Sequence, residues 1–151
     1  MFFKYDLSLF PIVLIKFNHL EMNDANFDEF LDSWEHLYTF KKNFVLLFDT
    51  TNMSVPSIKY CFKMSFFIKK IRNYNPQYLN KSIIIVKNKK ISNLLELIFY
   101  LQPPVAPIHI TEDNMNDVLN TIDMENILSE DILKINIINV IKPNKPFLPF
   151  L

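Results

Sequence analysis

The chain has 151 residues, half of them hydrophobic and 15% aromatic, and its formal net charge at pH 7 is zero. This length fits one domain with its own core, and zero net charge gives no field that would attract nucleic acid. Glycine is absent, which excludes phosphate-binding loops and nucleophile elbows, because both need glycine for close backbone approach. The single cysteine, Cys61, leaves no internal disulfide and fits a reducing, cytoplasmic location.

The N-terminal part predicts two strands and a helix. The strands cover residues 2–10 and 12–17, and the second is rich in β-branched side chains, which favours a core position. Asn23 or Asp24 can cap the helix that follows. The apolar side chains of this helix fall at helical spacing on one stripe: Phe27, Phe30, Leu31, Trp34, Leu37 and Tyr38.

A central strand is predicted at residues 44–48, which are all apolar and are followed by Asp49 and two threonines. Such a short apolar run is typical of a strand buried on both faces of a parallel sheet. The next helix, residues 57–72, has a thin lysine stripe and is apolar nearly all round. Such a helix is buried or meets a partner, and we take Phe67 as a candidate interface residue.

The remaining predicted elements continue the alternation of strands and helices. We predict a strand at residues 82–86, a lysine-rich turn, a helix capped by Ser92, a short strand at residues 108–110 and a last helix at residues 115–122. The order β-β-α-β-α-β-α-β-α indicates an α/β fold with a mostly parallel sheet. The first strand pair is the expected antiparallel edge.

Residues 1–124 are predicted to form the domain, and residues 125–151 an apolar extension. This extension is too apolar for a free tail in water, and Pro143, Pro146 and Pro149 recur with the period of a polyproline II helix. We expect it to pack in extended form on the domain or on a neighbouring subunit. The candidate interface residues of the extension are Phe147, Phe150 and Leu151.

The residues from Phe44 to Thr51, followed by a helix at Ser57, resemble the STAS domain of the bacterial anti-sigma-factor antagonists. The resemblance implies a SpoIIAA-like βα superhelix and a protein-interaction role without catalysis. It also implies that Asp49 and Thr51 close the core strand, and that Ser57 takes the place of the regulated serine. The aspartate and glycine that flank this serine in the family are missing around Ser57, so we expect no phosphorylation switch.

A second resemblance is to CRAL-TRIO lipid-binding domains. It rests on the passage Tyr74-Asn75-Pro76-Gln77-Tyr78-Leu79 and the apolar strand after it. This resemblance implies that a lipid or a small apolar ligand binds in a cavity under the helices at residues 57–72 and 94–101.

Four polar residues are further candidates for ligand contacts. Asp49, at a strand's carboxyl end, could be an acid, a metal ligand or a phosphoacceptor, or it could satisfy loop N–H groups in an Asx turn. Lys87, Lys89 and Lys90 could bind a phosphate or an anionic headgroup, or they could form a solvated turn. The histidines have no ligand-spaced neighbours, so we expect neither a metal nor a cofactor.

The leading hypothesis from the sequence is a non-enzymatic interaction module that binds a protein partner or itself. The alternative is a carrier of a lipid or small apolar ligand, and an enzyme using Asp49 has the least support. No apolar run reaches the length of a membrane span.

Overall fold

In the computed structural model of the protein, which describes residues 2–129 and 135–143, six strands form one sheet whose spatial order follows the chain. Four α-helices accompany the sheet in these residues. The strands are β1 (Phe3–Asp6), β2 (Ile12–Phe17), β3 (Phe44–Asp49), β4 (Leu79–Ile85), β5 (Ile108–Thr111) and β6 (Ile137–Ile141). The helices are α1 (Asp24–His36), α2 (Lys59–Arg72), α3 (Lys89–Leu101) and α4 (Met115–Thr121).

The sheet is mixed. Strands β2 to β5 run parallel to one another, whereas β1 pairs with β2 and β6 pairs with β5 in antiparallel fashion. The predicted α/β class and the antiparallel N-terminal edge are therefore confirmed. Strand β3 lies between β2 and β4, and all of its residues are buried, as the apolar run at residues 44–48 predicts.

The two faces of the sheet are covered by different elements. Alternate strand residues such as Leu46 and Ile84 belong to a cluster that includes apolar side chains of α1, α2 and α3. Their neighbours Val45 and Ile83 point to the other face and pack with Val118 of α4. Since strand side chains alternate between faces, three helices lie on one side of the sheet and α4 lies on the other.

The buried side of helix α1 contains residues of the predicted apolar stripe. The side chain of Asn23 accepts a hydrogen bond from the backbone N–H of Asn26, and the side chain of Asn26 accepts one from the backbone N–H of Asn23, both at 2.8 Å. This reciprocal cap fixes the start of the helix. The helix then buries Phe27, Phe30 and Trp34 against the sheet.

Strand β4 and helix α3 begin earlier than the sequence predicts. Strand β4 begins at Leu79 instead of residue 82, because Leu79 pairs with Phe44 across a register shift. Helix α3 begins at Lys89, since the side chain of Asn88 caps it by accepting from the N–H of Lys90 at 2.8 Å. Ser92 therefore lies within the helix and does not cap it.

The sixth strand was not predicted. It forms within the C-terminal extension and pairs with β5. Ile127 and Ile135, also in the extension, are buried in the cluster beneath α4. The ammonium of Lys81, buried on the same face, donates to the carbonyl of Ser129 at 2.7 Å. The described part of the extension is thus packed on the sheet.

Candidate functional site

An apolar cavity of about 120 Å³ lies between the sheet and helices α1, α2 and α3. Its floor includes Phe48, Ser82, Ile84 and Ile108, and α1 contributes Phe27, Phe30 and Trp34 to the wall. The helices above the floor contribute Tyr60, Cys61, Met64 and Ile68 from α2, and Ile91, Leu94, Leu95 and Ile98 from α3.

Small side chains in the floor and roof explain the open space. Ser82 is 3% exposed and lies between Leu46 of β3 and Ile108 of β5 in the strand register. A serine at this position leaves room that an isoleucine, as at Ile84, would occupy. In the roof, Cys61 is another small residue, and burial raises the pKa of its thiol, so it faces the cavity as a neutral group.

The polar atoms near the cavity are few. The hydroxyl of Thr50 is turned to the backbone and donates to the carbonyl of Ile85 at 2.6 Å. Ser82 adds a hydroxyl to the floor. The indole Nε1 of Trp34 is buried and has no hydrogen-bond partner in the part of the chain that the structure describes. The chemistry of the wall therefore suits an apolar molecule and offers few polar contacts.

Two polar clusters hold α1 against α2 on the outside of the cavity. At the start of both helices, the carboxylate of Asp24 accepts from Lys63 at 3.1 Å and from the Tyr60 hydroxyl at 3.2 Å. Hydrogen bonds from Lys63 and Lys59 lower the pKa of Asp24. At the other end, Glu35 accepts from the Tyr74 hydroxyl, and it pairs with Lys70 at 2.9 Å.

Two loops close the cavity at the carboxyl ends of β2 and β3. They are joined by a hydrogen bond from the Ser54 hydroxyl to the His19 carbonyl at 2.7 Å. Each loop places one partly buried methionine, Met22 or Met53, in the cavity wall. Because methionine side chains adapt their shape, this end of the cavity can accommodate ligands of different outline.

The predicted candidate Asp49 lies outside the cavity. It is buried at the end of β3, in register with Lys16 on the opposite face of the sheet from α1 to α3. Its carboxylate accepts the backbone N–H of Thr51 at 3.0 Å, which is the Asx-turn alternative. Thr51 is exposed, and its neighbour Thr50 is the residue that lines the cavity.

The other polar candidates lie on the surface. Ser57 is exposed just before α2, and its hydroxyl accepts weakly from the N–H of Lys59 at 3.5 Å. Lys87, Lys89 and Lys90 are exposed around the start of α3, and the ammonium of Lys87 donates to the side chain of Asn114. The structure does not bring these four residues to the cavity.

The candidate interface residue Phe67 is in the core. It is 7% exposed and packs on Trp34, so it cannot present its ring to a partner. The helical phase that turns Phe67 inward turns Phe62 and Phe66 outward, and these are 46% and 73% exposed. The remaining candidates, Phe147, Phe150 and Leu151, lie outside the described residues.

Ser82 lines the cavity, but it was not among the site residues predicted from the sequence. Its signal is a single small polar residue at the start of the run Ile83-Ile84-Ile85-Val86. The sequence predicts a strand at residues 82–86 and nothing more at this position.

Within residues 2–129 and 135–143, no group of three His, Cys, Asp or Glu side chains is placed to hold a metal ion. No helix in this part of the chain is long and apolar enough to cross a membrane. Comparison of the chain with protein-family models, with curated proteins and with solved structures gave no significant match.

Proposed function

We propose that this protein is a non-enzymatic binding module that takes a small apolar ligand into the cavity between its sheet and helices α1 to α3. The observation that carries the proposal is the cavity itself, about 120 Å³ in volume and lined almost entirely by apolar side chains. Empty apolar cavities of comparable size, around 150 Å³, bind benzene and xenon in other proteins.

The size of the cavity limits the class of ligand. A volume of about 120 Å³ is smaller than the roughly 300–1,000 Å³ of pockets that bind drug-sized molecules. The ligand is therefore a single ring or a short alkyl chain, either free or as the end of a larger molecule. The Ser82 hydroxyl in the floor can interact with one polar atom of such a ligand.

The arrangement of elements also supports the finer fold proposal, a SpoIIAA-like βα superhelix. Its supports are the strand order, which follows the chain, and the three helices on one face. The CRAL-TRIO resemblance implies a ligand cavity beneath α2 and α3, where the cavity lies. This supports the CRAL-TRIO resemblance more than the STAS resemblance.

The test is calorimetric titration of toluene into the purified chain and into the Ser82→Leu variant. Leucine at residue 82 fills the floor, so we expect toluene to bind the wild type and to lose at least tenfold in affinity for the variant. The matched control is Ser8→Leu, the same substitution at an exposed position, which should bind as the wild type does. A wild type that does not bind toluene or other small apolar probes, such as pentane, would overturn the proposal.

A second proposal is favoured by the exposed side of α2 and the residue before it. Ile58, at the N-cap, and Phe62 and Phe66 recur at four-residue spacing and are 57%, 46% and 73% exposed. Such a stripe is typical of a surface that contacts a protein partner, which is the STAS-like interaction role. Native mass spectrometry separates the two proposals. A bound small mass supports the cavity, and a complex with another protein that Phe66→Glu abolishes supports the helix surface.

A further inference from the structure

The indole N–H of Trp34 is an unpaired donor in the wall of the cavity. Trp34 lines the cavity and is 6% exposed. Its Nε1 atom is buried and has no hydrogen-bond partner within residues 2–129 and 135–143. Most buried N–H groups in proteins have a partner, because burial without one costs free energy. An unpaired N–H in a cavity wall therefore points to an acceptor that the cavity can receive.

Other donors of the cavity wall are already paired. The hydroxyl of Thr50 donates to a backbone carbonyl of β4 at 2.6 Å. The hydroxyl of Tyr60 donates to the carboxylate of Asp24 at 3.2 Å. The thiol of Cys61 is directed to a backbone carbonyl of α3 at 3.8 Å. Compared with these three groups, the indole of Trp34 is the one that a ligand can pair.

The immediate surroundings of the indole are aromatic. The rings of Phe30, Phe48 and Phe67 lie 6.1, 5.6 and 5.2 Å from it, measured between centroids. An aromatic face is only a weak acceptor for an N–H group. A buried water typically makes about three hydrogen bonds, and these three side chains have no polar atom to offer it. A ligand that carries a stronger acceptor is the better partner for this N–H.

The chemistry of the indole determines which polar atom the ligand carries. An indole N–H donates a hydrogen bond and accepts none, so the complementary atom is an acceptor such as a carbonyl or ether oxygen. A carboxylate is a poor candidate, because burial of a charge requires a countercharge and the described lining of the cavity includes no Lys, Arg or His.

We propose, on the basis that the cavity receives a ligand as proposed above, that this ligand is a small apolar molecule with one uncharged acceptor, such as a ketone, aldehyde or ether, and that Trp34 Nε1 donates to that acceptor. Trp34 is then the residue that distinguishes such ligands from hydrocarbons of the same shape. The apolar wall selects for size, and the indole selects for the acceptor.

The first test uses the wild-type protein and a matched pair of probes. Cyclopentanone and methylenecyclopentane have the same ring and differ in that a C=O group replaces a C=CH2 group. Trp34 is the only tryptophan of the chain, so the nitrogen–proton correlation spectrum contains one indole signal. We expect saturating cyclopentanone to move the indole proton downfield and methylenecyclopentane to move it much less. Equal displacements by the two probes, or none by the ketone, would overturn the assignment of the acceptor to Trp34.

The second test compares affinities in calorimetric titrations of the wild type and Trp34→Phe. The quantity measured is the ratio of the affinity for cyclopentanone to the affinity for methylenecyclopentane. This ratio corrects for the space that phenylalanine leaves, because both probes experience it. We expect the ratio to fall about fivefold in Trp34→Phe, as the loss of one hydrogen bond does.

The variant Ser82→Ala separates the indole from the other hydroxyl of the cavity. If the ratio falls in Ser82→Ala and stays at its wild-type value in Trp34→Phe, the acceptor pairs with Ser82 and the proposal for Trp34 is wrong. In that case both probes still bind, so the proposed function stands. If neither probe binds the wild type, the proposed function and the role of Trp34 are both overturned.

Discussion

The indole of Trp34 meets the ring of Phe67 at a steep angle, with ring centroids 5.2 Å apart and planes inclined by 65°. The same indole lies 5.6 Å from the ring of Phe48. Trp34 thus connects α1 to α2 and to the central strand, and it forms part of the cavity wall. Aromatic contacts of this geometry add to the energy of burial.

Replacement of Trp34 by alanine should therefore be strongly destabilising. The residue is 6% exposed, so we expect the free energy of unfolding to fall by roughly 3–5 kcal/mol, measured by urea denaturation with far-UV circular dichroism. Trp34→Phe should cost less, because it keeps a ring and removes an N–H that has no partner among the described residues. An alanine variant within about 0.5 kcal/mol of wild type, as surface substitutions are, would contradict this role.

The fold could be predicted from the sequence where its signals are local. The run from Phe44 to Phe48 and the stripe through Trp34 each determine one element, because burial follows directly from side-chain periodicity. Strand β6 could not be predicted in this way. Its structure depends on pairing with β5, a contact between residues far apart in the chain.

The candidate site was predicted less completely than the fold. A cavity under α2 and α3 followed from the CRAL-TRIO resemblance, whereas the polar candidates Asp49, Ser57 and Lys87 lie elsewhere. A cavity results from the volumes of facing side chains on different elements, here Ser82 and Cys61. Sequence patterns report which face a residue occupies, but they do not report which residues face each other.

The ion pair at the end of α1 predicts a pH dependence. Hydrogen bonds from Tyr74 and then Lys70 lower the pKa of Glu35 from its ordinary value of 4.5. A lowered folded-state pKa stabilises the fold above the unfolded value, and this stabilisation is lost as the pH falls through the folded value. We expect the melting temperature of Glu35→Gln to be below that of wild type at neutral pH.

This difference should shrink as the pH falls below 4.5. The side chain of Glu35 is 33% exposed, so solvent screening keeps the effect below about 1 kcal/mol. Lys87→Met, which removes a surface charge away from this pair, is the control for general charge effects. If the difference in melting temperature between wild type and Glu35→Gln is the same at every pH, the ion pair does not contribute to stability.

Ser57 should not act as a regulatory switch. It is exposed just before α2. A negative charge at this position would be stabilised by the N-terminal end of the helix dipole by about 0.3–1 kcal/mol. We expect Ser57→Asp and Ser57→Ala to bind toluene with equal affinity in calorimetry and to differ little in stability. A tenfold or larger difference in affinity between the two variants would restore the regulatory role.

Deletion of residues 142–151 should lower the melting temperature, cause aggregation or abolish self-association. The physical reason is the apolar content of this segment, which we expect to cover apolar surface on the domain or on a neighbouring subunit. The double variant Phe147→Ser, Phe150→Ser removes two apolar side chains of the segment without changing the length of the chain. It should reproduce the effect of the deletion. If both variants keep the solubility, assembly and melting temperature of the wild type, the segment does not pack on the protein.

The most direct measurement of the central claim is a crystal structure of the protein under xenon pressure, since xenon enters apolar cavities that admit small guests. We predict xenon density between the floor residues Ser82 and Ile84 and the Cys61 side of α2. The same experiment on Ser82→Leu should show this site filled by the new side chain. A wild-type crystal that takes up xenon elsewhere, or not at all, would contradict the proposal that this cavity receives an apolar ligand.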